Sequence, residues 1–146
     1  MKKIILVICF MAIITGCAWL EKEPTDSQNH YEAQNIVNEM LNNYKNYIPG
    51  DLDAYISNDF TPNKYEYLSN VSRSAAAEHV LEFSAVTYSA DRKDDTLTVK
   101  FKWNKKRNKY ASANVDILSG ATEFIFRNYK KHWMIVEISG EDPFIN

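Results

Sequence analysis

Residues 96–103 read Thr96-Leu-Thr-Val-Lys-Phe-Lys-Trp103, and their alternation decides the fold. Successive side chains of an extended chain point to opposite faces. Leu97, Val99, Phe101 and Trp103 therefore share one face, and Thr96, Thr98, Lys100 and Lys102 the other. This is the pattern of a strand buried on one side. Similar segments flank it. Ala85 to Ala90 reads as a strand, and Asp91 to Asp95 as a charged turn. Asn104 to Lys109 reads as a polar turn. Ala111 to Arg127 reads as a long strand, with Ala113, Val115 and Ile117 on one face and Phe124 and Phe126 further along. An isolated Gly120 inside it suggests a bulge or a sharp bend. Asn128 to Lys131 turns the chain, and Trp133 to Ile138 forms the last strand.

Upstream of residue 85 the period lengthens to that of a helix. Ala33, Ile36, Val37, Met40, Leu41, Tyr44 and Ile48 recur at three- and four-residue steps and share one face. Asn29 is the expected N-cap, with Glu32 at the third helical position, and Pro49-Gly50 ends the helix. Asp51 should cap a short second helix that turns Leu52, Tyr55 and Ile56 to the core. Thr61-Pro62-Asn63 is a turn. Lys64 to Val71 reads as a short strand or an irregular loop, and Ser74 as the cap of a third helix from Ala75 to Phe83. Helices first and antiparallel strands after, joined by short turns, predict an α+β domain over residues 30–146.

The N-terminal residues carry a separate message. Lys2 and Lys3 precede an uncharged run from Ile4 to Ile14. A membrane span needs roughly 20 apolar residues, so this shorter run suits the core of a signal peptide. Ile14-Thr-Gly-Cys17 resembles the lipobox of bacterial lipoproteins. By that resemblance residues 1–16 are removed and Cys17 is lipidated. Residues 17–29 then form a lipidated tether, in which the twelve flexible residues after Cys17 span about 20 Å. Ala18 follows the cysteine where many lipoproteins retained in the inner membrane carry Asp, which favours the periplasmic side of an outer membrane where the organism has one. Cleavage would leave 130 of the 146 residues, and Lys+Arg would fall from 17 to 15 against 19 Asp+Glu, moving the net charge from −2 to −4. Cys9 leaves with the signal, so the domain holds no thiol and must rely on its core.

The domain resembles the NTF2-like (SnoaL, cystatin-like) superfamily. The resemblance rests on the amphipathic first helix, on Gly50-Asp-Leu-Asp-Ala-Tyr-Ile-Ser-Asn-Asp-Phe60, and on Gly120-x-x-x-Phe-x-Phe126 with Trp133-x-Ile-x-x-Ile138-x-Gly140. Gly140-Glu-Asp-Pro-Phe144 looks like the tail of NTF2-like lipoproteins of unassigned function. The resemblance implies an α+β cone, N-terminal helices packed on a curved, mainly antiparallel sheet, often with a pocket at the wide end. It implies no reaction, because the fold hosts enzymes, binding proteins and assembly modules.

Three side chains are candidates for acid/base work inside such a cone: Asp59, His79 and Glu137, the last sharing a strand face with Trp133 and Ile135. A buried carboxylate would have a raised pKa and could act as a base. Each also has a plainer reading as a solvated or turn residue, and none matches a family motif, so no catalytic residue is assigned. Tyr65, Tyr67, Trp103, Phe124, Phe126 and Trp133 can line a pocket for an apolar ligand or simply fill a core. Residues 100–109 hold six basic side chains interleaved with Phe101 and Trp103. That pattern invites nucleic acid, but the export signal and acidic charge stand against it. The plainer reading is a solvated hairpin with Lys100 and Lys102 on the exposed face of a strand; should the patch act, anionic lipid head groups or wall polymer are the better partners. No His-Glu-x-x-His, phosphate loop, nucleophile elbow or Cys pair is present. His30, His79 and His132 are widely separated, so neither a cofactor nor a metal is expected. The leading expectation is a non-enzymatic envelope module, tethered to the membrane through Cys17, that binds an envelope protein or a small apolar ligand. The alternative is a SnoaL-like isomerase or hydrolase with an inward carboxylate or His. Cys17→Ser removes the thiol to be alkylated, so the variant should lose palmitate labelling and detergent partitioning; labelling equal to the parent would refute the lipobox reading.

Overall fold

The apolar stripe of the first helix closes on a sheet. A computed structural model describes residues 25–46, 51–110, 112 and 114–145; the export segment, Cys17, Pro49-Gly50 and Ala113 lie outside them. Helix α1 (Asp26–Asn46) buries Ala33, Val37, Met40, Leu41 and Tyr44. It starts earlier than its expected cap. Thr25 precedes it, and the Gln28 side chain reaches back to accept the Thr25 amide at 2.9 Å, half of a capping box. Asn29 is buried within the helix, so the end of the stretch read as tether is helical. The expected short second helix is a 3-10 turn (Leu52–Tyr55), preceded by Asp51, whose side chain makes no capping bond.

Helix α2 (Lys64–Ala77) corrects two expectations. Lys64 to Val71, read as strand or loop, is helical. Ser74 lies inside this helix instead of capping a later one. The cap is Asn63, whose side chain accepts the Glu66 amide at 3.0 Å. Tyr65 and Tyr67 imitated a period of two, yet the buried pair is Tyr67 and Val71, one helical turn apart, and Tyr65 is 80% exposed. From Glu78 the chain is already extended.

The sheet has four antiparallel strands in the order β1 (Glu78–Lys93), β2 (Thr96–Lys109), β3 (Val115–Tyr129) and β4 (His132–Gly140). The residues expected as a turn at 104–109 continue β2, and the alternation continues with them: Lys105 and Arg107 are buried on the same face as Leu97, Val99, Phe101 and Trp103. On β3 the buried side chains are Thr122, Phe124 and Phe126, whereas Ile117 is 74% exposed on the outer face. Bulges curve the sheet, and they fall elsewhere than at Gly120. The register shifts between Val80 and Glu82, between Thr87 and Ser89, and opposite Ile125/Phe126. The last shift inserts Val136 and flips Glu137 to the exposed side, since one extra residue exchanges the two faces. Part of each sheet edge is met by another segment, which reduces the open main chain that promotes aggregation. At β1 the Gln34 side chain accepts the Thr87 amide (2.8 Å) and donates to the Ala85 carbonyl (3.1 Å). At β4 the amides of Ser57 and Thr61 donate to the carbonyls of Ile135 and Val136.

Gly120 pairs in regular register with Trp103. A Cβ there would stand 2.7 Å from the Trp103 ring and from Glu141 Oε2; the glycine is a seat for the indole. Gly140 has φ +85°, and a Cβ would meet the Ala121 carbonyl at 2.6 Å. Gly120→Ala should lower unfolding free energy by about 1–3 kcal/mol, the usual penalty of overpacking, read from a urea transition; an unchanged midpoint would mean that the indole is not held against this position.

Candidate functional site

Lys105 and Arg107 continue the buried face of β2 into the space beneath the C-terminal half of α1. Their counter-charge is Glu78, the first residue of β1. Lys105 Nζ lies 2.9 Å from Glu78 Oε1, Arg107 Nη1 bonds Oε2, and the Tyr44 hydroxyl donates to Oε1 at 2.7 Å. Burial pushes the Glu78 pKa up, but the hydrogen bonds from Arg107, Tyr44 and Lys105 outweigh it and hold the carboxyl below the usual glutamate range. Burial lowers the Lys105 pKa against the pull of Glu78. The Tyr44 pKa is raised by burial and by its bond to Glu78. Lys105 also donates to the Pro143 carbonyl at 3.1 Å.

That last contact belongs to a strap, residues 141–145, which follows β4 back into the cone. The Trp103 Nε1–H donates to the Glu141 carbonyl at 3.0 Å, and the Thr122 hydroxyl donates to the same oxygen. Phe144 is 1% exposed. Its ring packs on Tyr44, Phe83 and Phe124 at centroid distances of 5.2, 6.2 and 6.2 Å. The Asp142 carboxylate accepts the Phe144 amide at 2.8 Å, and burial raises its pKa. The space where the family resemblance implied a pocket thus holds the chain's own strap and a buried ion cluster.

A second concavity opens outward. A groove of about 750 Å³ runs between α1, the 3-10 turn and the β3–β4 hairpin. Tyr31, Ile36, Tyr55, Tyr129, Trp133 and Met134 give it an apolar, aromatic lining. Glu32 and Glu39 stand on the α1 wall, with Lys131 and His132 on the hairpin wall. The Trp133 indole donates to Glu32 at 2.7 Å, and the Arg92 guanidinium lies 5.0 Å over its ring. The Tyr55 pKa is pushed up to about 12, first by burial and then by its bond to Glu39. At the groove's edge the Tyr129 hydroxyl accepts from the Ser57 hydroxyl (3.1 Å) and donates to Asp59 (2.8 Å).

The three acid/base candidates do not meet. Asp59 is exposed beside the groove, next to Tyr129. His79 is exposed on β1, not on a helix, and Glu137 is exposed through the β4 bulge. His30, His79 and His132 sit on α1, β1 and β4, and no group of three potential ligands occurs among the described residues. The expected basic stretch is divided by the sheet. Lys105 and Arg107 point inward, while Lys100 and Lys106 pair with Glu123 and Glu82 at 3.1 and 3.2 Å. Of the aromatic set, Tyr67, Trp103, Phe124, Phe126 and Trp133 are buried, and only Tyr65 is not. The residues missed by the sequence reading are Glu78, Lys105, Arg107 and the strap. Extending the period-two count past Trp103 would have found the cations.

No protein-family model matches the chain, and no curated protein does. Solved structures do match. An NTF2-like superfamily protein from Salmonella enterica superposes with a TM-score of 0.66 at 11% identity, covering 82% of this chain and 94% of that one. A conserved protein from Planctomyces limnophilus gives 0.64 at 17% identity, covering 76% and 97%. An NTF-2 like protein of unknown function from Shewanella oneidensis gives 0.55 at 14%, covering 81% and 100%. The chain therefore has the NTF2-like fold, an α+β cone of helices packed on a curved antiparallel sheet.

Glu78 has a lower pKa in the fold than in the unfolded chain. Its stabilising contribution is thus full above the ordinary glutamate range and is lost as pH falls through the depressed value. Glu78→Gln should cost about 3–5 kcal/mol at neutral pH, because two buried cations lose their counter-charge, and the gap to the parent should narrow in acid. Asp142 has the opposite sign. Its raised pKa makes ionisation unfavourable in the fold, so Asp142→Asn should stabilise at neutral pH and become equivalent below the usual aspartate range. Urea titrations at several pH values check both.

Proposed function

We propose that this chain is a lipid-anchored module of the bacterial envelope that binds a partner protein or a small apolar ligand in the outward groove, and that it is not an enzyme. One observation carries the reading: Phe144 and the Glu78 cluster take up the cone interior with the chain's own side chains, while the aromatic groove faces outward. An acid and a base wall on opposite sides of an apolar floor suit a polypeptide segment or an amphiphile of matching polarity. A feature of the hairpin supports it. Lys130 and Lys131 have φ of 52° and 73°. Tight hairpins place Asn or Gly at such positions, so two consecutive lysines there are unfavourable for folding. Such strain is retained at sites where the side chains are used, and Lys131 stands at the groove mouth.

The anchor at Cys17 and a location on the periplasmic side of an outer membrane complete the proposal, on the strength of the lipobox and Ala18. An acid/base enzyme remains the second reading, favoured by the Ser57–Tyr129–Asp59 hydrogen-bond chain at the groove's edge.

The test is complementation of a deletion in the native host. Tyr31 is 71% exposed and Lys131 is exposed, so Tyr31→Ala and Lys131→Glu should change stability by no more than about 0.5 kcal/mol while abolishing complementation. Asp59→Asn, His79→Gln and Glu137→Gln should complement fully. Should one of these three near-isosteric changes reproduce the deletion in a folded, abundant protein, the acid/base enzyme replaces the binding module.

A further inference from the structure

The strap is held as a bound peptide is held. Its main chain is read by side chains projecting from the sheet: Trp103 and Thr122 on the Glu141 carbonyl, and Lys105 on the Pro143 carbonyl. The Glu141 amide also donates to the Ala121 carbonyl at 3.0 Å, and the Glu141 carboxylate accepts the Ala121 amide at 2.9 Å, which extends the β3 hydrogen-bond pattern onto the strap. Phe144 enters a cup of Tyr44, Phe83 and Phe124. Main-chain bonds that fix position, and a pocket that selects one side chain, are the two parts of peptide recognition by a sheet.

The ion cluster underneath fits the same reading. Lys105 is fully buried, and Arg107 nearly so. A buried ion pair contributes little to stability compared with apolar side chains of the same volume, so stability alone gives a weak reason for Glu78, Lys105 and Arg107 to stand at the centre of this cone. What the cluster achieves geometrically is to fix Lys105, the residue that grips Pro143. Asp142 is half-buried beside the same cluster, its carboxyl toward Lys105 and Tyr67.

We infer that the cone interior is a peptide-binding seat whose resident occupant is the strap Glu141-Asp-Pro-Phe-Ile145, and that a partner segment of the same main-chain and aromatic chemistry, Pro followed by an aromatic, takes the seat when the strap leaves. Lys105 supplies the main-chain contact, Trp103 and Thr122 fix the register, and the aromatic cup sets the specificity. The seat is distinct from the outward groove, so this inference stands apart from the groove reading.

The experiment ends the chain after Gly140 and titrates it with a labelled, N-acetylated Glu-Asp-Pro-Phe-Ile peptide, followed by fluorescence anisotropy. The truncated chain should bind with micromolar affinity. A peptide carrying F144A should bind at least tenfold more weakly. The intact chain should bind roughly a hundredfold more weakly, since a tethered strap competes at about millimolar effective concentration; full-length Phe144→Ala should recover part of the loss. If the truncated chain does not fold alone, added peptide must restore its far-ultraviolet signal and melting transition. Three results overturn the inference: a folded truncated chain that does not bind the peptide, an unfolded one that the peptide does not rescue, and binding of hydrocinnamate, an aromatic acid without the main chain, where the peptide fails. Groove variants Tyr31→Ala and Lys131→Glu should leave the peptide affinity unchanged, which separates a failure of this seat from a failure of the groove.

Discussion

Strand β2 is buried along one face from Leu97 to Arg107, and the last two inward positions are cations. The rest of the molecule is arranged around that fact. A buried ammonium and guanidinium need a carboxylate and hydrogen-bond acceptors within reach, or the desolvation cost stands uncompensated. Glu78 meets both cations from the neighbouring strand, Tyr44 reaches it from α1, and Pro143 gives Lys105 a carbonyl from beyond the last strand. One charged cluster thereby ties α1, β1, β2 and the strap into a single packing unit.

The apolar half of the same face does a different job. Leu97, Val99 and Phe101 meet Phe124 and Phe126 across β3 and the Ala33–Met40 stripe of α1. Phe101 and Phe124 contact edge-to-face at 4.8 Å, an arrangement that adds to simple area burial. The sheet must bend to keep these groups under one helix, and its bulges supply the bend. They also decide which side chains a ligand could meet, because each bulge exchanges inside for outside downstream of itself.

The polar chemistry is therefore divided between two places. Inside, charges are matched and used to hold the chain's own backbone. Outside, Glu32 and Arg92 clamp Trp133 at the rim of an aromatic groove, and an acid wall faces a basic one. A fold whose relatives carry varied functions here has its most buried charges engaged in holding the strap and its open concavity lined by aromatic rings.

Much of the architecture is written in the periodicities. The 3.6-residue stripe of α1, the alternation of residues 96–103 and the polar breaks expected at 91–95 and 128–131, which narrow to two-residue turns at 94–95 and 130–131, are local signals, and local signals fix element type because side-chain direction follows from backbone geometry alone. The α+β class follows from them, whereas the NTF2-like resemblance rests on the motifs at 50–60 and 120–140. Misreadings arose where two periods overlapped, as with Tyr65 and Tyr67 on a helix, or where residue type outvoted pattern, as with Lys105 and Arg107, read as a turn because cations seldom lie inside. Tertiary structure alone decided the remainder. Glu78 is neutralised by side chains 27 and 29 positions away, Gly120 is a seat for an indole on another strand, and a single inserted residue at Val136 turns Glu137 out of the cone. No local pattern encodes these, because burial, counter-charge and face depend on which segments the folded chain brings into contact.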